Sequence, residues 1–139
     1  MWEEDCKINP MKLDEISART PLLHSKYLAI LSSAKLKLKS KEQYQSILLK
    51  KKWLWYNGKM TQEQIEAEGW EYDPLNGLKI LKGEMDHYYD SDPEIQKSVE
   101  DIHYWKTVVE TLESIINNVN WRHLTIKNII DFKKFEAGY

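Results

Sequence analysis

The sequence predicts an all-α fold, and three observations carry that reading. Glycine and proline together make only 9 of 139 residues, whereas an all-β chain needs turn residues every ~8–12 positions. Between Pro21 and Gly58 neither residue occurs. From Ile95 to Val119 apolar residues recur at steps of three and four, the period of one helix face.

The elements follow in order. Residues 1–20 are polar and broken at Asn9-Pro10, with room for a short helix around Lys12–Ala18. Thr20-Pro21 reads as a helix N-cap and first helical residue, and Asn57-Gly58 as its stop. The spacing therefore predicts a long helix over about 21–57, ~54 Å at 1.5 Å per residue. Leu23, Tyr27, Ile30, Leu31, Ala34 and Leu38 share its first packing face; further on, Lys41 and Lys52 fall on much the same side, with Leu48 between them. The alternating Lys35-Leu36-Lys37-Leu38-Lys39 leaves a short strand open as a local alternative. A turn led by Thr61 precedes Asp73-Pro74 and Asn76-Gly77, so 59–77 reads as an acidic linker. Leu78 to Tyr89 is expected to form a short helix. Asp92 with Pro93 and Glu94 opens a second long helix over about 93–119. A last helix from about Thr125 to Ala137 presents Ile126, Ile129, Ile130 and Phe132 or Phe135.

These elements suit one domain over 1–139: a variable segment 1–20, a long basic helix 21–58, the linker 59–77 and a helical oligomerisation region 78–138. The seam Ile95, Val99, Ile102, Trp105, Val109, Leu112, Ile116 and Val119 is close to heptad spacing. A monomer with so long an arm offers little to cover that seam. Oligomerisation through these eight residues is the expectation.

Composition excludes several functions. No GxGxxG or GxxxxGK[ST] loop can be written with glycines at 58, 69, 77, 83 and 138, which argues against a nucleotide-binding enzyme. The single Cys6 excludes a disulfide framework and any CxxC site. Asp86, His87 and Asp90 are the nearest approach to a ligand set and read as solvated side chains. No catalytic residue, metal or cofactor is expected. The acidic start Met1-Trp2-Glu3-Glu4-Asp5 is unlike a signal peptide, and no apolar run suits a membrane span; the expectation is a soluble intracellular chain.

Charge is unevenly placed. Residues 26–59 carry nine lysines and one acid, a net +8, while 60–106 carry four lysines and twelve acids, a net −8. Such blocks suit either a polyanion surface beside an acidic segment or a salt-bridged helix pair that neutralises itself. The densest cluster is Lys50-Lys51-Lys52-Trp53-Leu54-Trp55-Tyr56-Asn57-Gly58-Lys59. Its cations suit phosphates and its rings suit unstacked bases. Lysines also complement a helix C-terminus, and the rings also suit a core. Single-stranded nucleic acid, a plain helix end, and an anionic protein or lipid all remain open on these residues. Candidate DNA-binding residues are Lys50, Lys51, Lys52, Lys59, Lys41, Lys39, Trp53 and Trp55.

The segment His24-Ser25-Lys26-Tyr27-Leu28, then Ser32-Ser33, Lys50-Lys51-Lys52 and Tyr56-Asn57-Gly58-Lys59, carries a resemblance. So does the C-terminal run Tyr104-Trp105, Arg122 and Ile126 through Phe135-Glu136-Ala137-Gly138. Together they resemble the UvsY-type recombination mediators of T-even-type bacteriophages. The resemblance implies a helical protein assembled as an open ring or barrel of six or seven chains. It implies binding of single-stranded DNA without sequence preference. It further implies help for a RecA-like phage recombinase in replacing the phage single-strand-binding protein, in the cytoplasm of an infected bacterial host, with no nucleotide required. The family's basic pair falls on Lys50 and Lys52, the second position often being Arg; Lys lacks its planar fork. A coiled-coil adaptor that binds no nucleic acid is the alternative reading.

Overall fold

In a computed structural model, which describes residues 1–138, six helices account for the regular structure: α1 (Trp2–Asp5), α2 (Leu13–Tyr56), α3 (Gln62–Glu68), α4 (Met85–Ser91), α5 (Pro93–Asn120) and α6 (Arg122–Glu136). No strand occurs among the described residues, so the Lys35–Lys39 run is helical. The chain forms two compact units, Met1–Lys35 with the residues from Thr107 onward, and Leu36–Lys106. Both α2 and α5 contribute residues to each.

Helix α2 starts eight residues before the Thr20-Pro21 signal and holds 44 residues, with Pro21 inside it. Proline brings no N–H and so leaves the carbonyl of Ser17 without its helical donor. The Thr20 hydroxyl donates to the carbonyl of Ile16 at 2.9 Å instead of capping a terminus. The other end matches the sequence signal. Gly58 adopts φ 67°, its N–H bonds the Trp55 carbonyl, and the Lys59 N–H bonds that of Leu54. This paired closure satisfies the last carbonyls through a left-handed glycine.

In the first unit the buried apolar set is Tyr27, Leu31 and Ala34 from α2, Val109, Leu112 and Val119 from α5, and Ile126 from α6. Although short, α1 is tied down. Trp2 meets Tyr27 edge to face at 5.2 Å, and the Asp5 carboxylate accepts from Tyr27 Oη at 2.7 Å and from Lys26 Nζ. Buried Arg122 donates to the carbonyls of Asp5 and Lys7, and Lys133 Nζ donates to that of Pro10. Burial, with the hydrogen bond to Asp5, pushes the Tyr27 phenol up to about 12.

In the second unit α3 opens with a reciprocal Thr61–Gln64 capping box and closes on Gly69 at φ 74°. Segment 78–84, expected as the start of a helix, is irregular, with Gly83 at φ 91° and Leu78 and Leu81 exposed. Leu48, Trp55, Ile65, Ile95 and Ile102 are buried here. Ion pairs step from Lys52–Asp92 to Lys41–Asp101, so in this unit α2 and α5 run antiparallel.

That packing corrects the expectation that the α5 seam needs other chains to cover it. Ile95, Ile102, Val109, Leu112 and Val119 are buried within the single chain; Trp105 and Ile116 are half-buried and Val99 is exposed. A helix as long as α2 supplies an apolar partner for the seam without a second copy.

Candidate nucleic-acid interface

The C-terminal part of α2 positions the candidate side chains, and the helical rotation of ~100° per residue decides which way each faces. Lys52 lies on the packing side with Leu48, within about 40°. Lys41 lies on that side too. Lys50 points almost opposite. Lys39, Lys50 and Trp53 share one face, because their spacings of 11 and 3 residues are near whole turns.

Burial follows that geometry. Lys52 is only 3% exposed. Its ammonium lies 3.1 Å from Asp92 Oδ2 and 3.5 Å from Glu94 Oε1, and 4.0 and 4.5 Å from the ring centres of Trp70 and Trp55. Lys52, named from the sequence as a candidate DNA contact, thus faces the interior, on the packing side that its spacing from Leu48 indicated. A buried ammonium requires counter-charge, and two carboxylates and two indole faces supply it.

Asp92 couples this site to the start of α5. Its Oδ1 accepts the N–H groups of Glu94 at 3.0 Å and Ile95 at 3.1 Å, while Oδ2 accepts from Tyr56 Oη at 2.7 Å. Burial alone would raise the Asp92 carboxyl, but the hydrogen bonds from Tyr56, Ile95 and Lys52 together hold it below its ordinary value. Burial and the bond to Asp92 push the Tyr56 phenol well up. Trp55 is buried and its Nε1–H donates to the Glu71 carbonyl at 2.8 Å. Trp70 Nε1–H donates to Glu94. Trp55 is therefore part of this internal network.

Other candidates remain at the surface. Lys39 and Lys50 are exposed and have no partner among the described residues. Trp53 is 40% exposed, and the turn at Gly58 carries Lys59 back over its ring, 4.6 Å from the centre. Two further cations are half-buried and paired. Lys51 meets Glu68 at 2.7 Å, a hydrogen bond that raises the lysine's pKa, and Lys41 lies 3.8 Å from Asp101. Of the eight sequence candidates, Lys39, Lys50, Trp53 and Lys59 are accessible; Lys59 and Trp53 are in contact, and Lys39 lies three turns back along the face that carries Lys50. Lys41 and Lys51 are partly neutralised, and Lys52 and Trp55 face inward.

Sequence reasoning read Asp92 and Glu94 only as a helix start and Trp70 only as part of a linker. The signal that pointed to their role was the pair of opposite charge blocks, with a lysine on an otherwise apolar face. Among the described residues no three His, Cys, Asp or Glu side chains form a group suited to a metal ion, and no helix is long and apolar enough to cross a membrane.

An all-helical chain with such a surface invites comparison with proteins that handle DNA. The family described as recombination, repair and ssDNA binding protein UvsY matches residues 1–139, and the chain belongs to that family. A curated relative, the recombination protein uvsY of Enterobacteria phage T4, is 25% identical over 136 residues, spanning 98% of this chain and 92% of the relative. The fold is also similar to crystal structures of the bacteriophage T4 recombination mediator protein UvsY. Lattice type II gives a TM-score of 0.79 at 25% identity, covering 98% of this chain and 92% of that one. Lattice type I gives 0.81 at 23% identity, covering 96% and 94%.

Proposed function

We propose that this protein is a recombination mediator that binds single-stranded DNA and promotes loading of a RecA-like phage recombinase in place of the single-strand-binding protein. The observation that carries this reading is the family match over the whole chain. The surface of Lys39, Lys50, Trp53 and Lys59 supports it chemically. Exposed ammonium groups attract phosphates of any sequence, and an exposed indole stacks on any base.

Lys50 is the principal contact in this reading, because Lys39 shares its face. Lys52, although it occupies the family's second basic position, acts through structure: paired with Asp92 it packs on the inner side of α2, while Lys50 points the other way. Lys41 and Lys51 add diffuse positive potential. The mechanism is binding and avidity, several copies of a weak surface acting on one strand.

The copies assemble as a ring or barrel of six or seven chains through the 78–138 region. The buried part of the α5 seam is already used within the chain. The exposed apolar side chains of α6, Phe132 and Phe135, favour that helix as the contact. The setting is the cytoplasm of an infected bacterial host.

A titration of labelled oligonucleotide at several salt concentrations tests the reading. Binding that tightens as salt falls and is indifferent to base sequence is expected. Absence of binding at low salt would leave the coiled-coil adaptor as the better account.

A further inference from the structure

The first unit holds a cavity of about 390 Å³ beside Arg122, away in sequence from the lysine face. Its charges do not balance. Glu4 is held by Lys7 at 3.0 Å, and Asp5 by Lys26 and Tyr27. Both acids on the wall are thus engaged, which leaves the guanidinium groups of Arg19 and Arg122.

Arg122 is 5% exposed, and no carboxylate lies within ion-pair distance among the described residues. Its terminal nitrogens donate to the carbonyls of Asp5 and Lys7 at 3.1 and 3.0 Å, but the buried Nε–H has no acceptor. It is also the first residue of α6, whose N-cap Trp121 provides no side-chain acceptor. A cation there sits at the positive end of the helix dipole. A buried positive charge in that place, without a counter-charge, calls for an anion. Arg19 is exposed on the same wall and has no partner among the described residues.

The remaining lining is Thr20, whose hydroxyl is spent on the Ile16 carbonyl, and the apolar Ile16, Leu22 and Leu23, with Leu22 largely exposed. We infer that this cavity docks an acidic peptide segment of a partner protein, its carboxylates on Arg19 and the Arg122 side and an adjoining aliphatic side chain on the leucines. Planar guanidinium forks match carboxylates, and the aliphatic wall suits a peptide better than a phosphodiester backbone, which offers it little to bury. The volume suits a few side chains.

The test uses the full chain and a fluorescein-labelled peptide of alternating aspartate and leucine flanked by serines, read by anisotropy. A second peptide carries asparagine for each aspartate. Arg122 also anchors α1, so Arg19→Glu and Leu22→Ser are the variants, each checked for native helicity. The aspartate peptide is expected to bind, the asparagine peptide and Arg19→Glu to weaken binding about tenfold or more, and Leu22→Ser to weaken it severalfold. Oligonucleotide affinity should stay within about twofold in both variants, since neither lies in the lysine face. Equal binding of the two peptides, an unaffected Arg19→Glu, or no binding at all would overturn the inference. Loss of oligonucleotide rather than peptide binding in Arg19→Glu would also overturn it and make the cavity a nucleic-acid groove.

Discussion

Replacing Lys52 by Met isolates the buried charge, because Met keeps an unbranched stem of similar size between Trp55 and Trp70. The substitution leaves Asp92 buried with its Tyr56 and backbone donors but without its ammonium. Removing one partner of a buried pair costs about 3–5 kcal/mol. The three remaining hydrogen bonds place this case at the lower end, about 3 kcal/mol. With an unfolding entropy of about 2.1 cal/mol/K for each of the 139 residues, that corresponds to a fall of roughly 10 °C in Tm. Lys50→Met, on the opposite side of the helix and exposed, should shift Tm by less than about 2 °C. Circular dichroism melts read both. The double variant Lys52→Met with Asp92→Asn removes both charges and should be less destabilised than the two single effects added, by about 1–3 kcal/mol. At temperatures where it is folded, Lys52→Met should bind oligonucleotide within about twofold of the parent. A Lys52→Met protein that melts normally yet loses DNA binding would refute the internal role and restore Lys52 as a direct contact.

The other predictions are these. Lys50→Ala with Lys39→Ala should weaken oligonucleotide binding for every sequence, with unchanged melting. The log–log salt slope should become shallower by roughly 0.7 for each phosphate that the variant no longer neutralises. Trp53→Ala should cost about 1–3 kcal/mol of single-strand affinity per stacked base in the same titration. Phe132→Asp with Phe135→Asp should reduce the assembly mass in sedimentation while leaving the chain helical, whereas Leu112→Asp should unfold it by burying an unpaired charge. The Asp92 carboxyl is lowered in the folded state, so its contribution is complete above the unfolded carboxylate range and is lost as pH falls through the folded value. Asp92→Asn should therefore flatten the acid limb of a stability–pH curve below about pH 4.

Much of the fold is legible in the sequence because it rests on local signals. Asn57-Gly58 ends α2 through a left-handed glycine, and Asp92-Pro93-Glu94 opens α5 by capping and dipole chemistry. The start of α2 departs from its signal for a physical reason: Thr-Pro is an N-terminal signature only where the preceding residues cannot be helical, and Leu13–Arg19 can. Segment 78–84 shows the opposite failure. Leu78 and Leu81 have helical spacing but stay in water, and only Ile80 between them is half-buried. Periodicity establishes that a seam exists; it does not say which helix covers it. The α5 seam found α2, a partner whose length the proline signal understates.

The candidate site is half legible for a related reason. A run of three lysines looks uniform in composition, yet consecutive helix positions are ~100° apart and cannot share an environment. One of the three had to face inward once the Leu48 side of α2 became core. The position was chosen by rotation, and Lys52 is a tenable core residue only because the acidic block brings Asp92 and Glu94 to it. The two opposed readings of the charge blocks thus describe different lysines of the same segment. Lys52, Lys51 and Lys41 are neutralised by the acidic partners of their own chain. Lys50 and Lys39, rotated out of reach, keep their charge exposed. The salt-bridged pair supplies the frame and the remaining cations the surface, and the same helix rotation that buries one lysine exposes another.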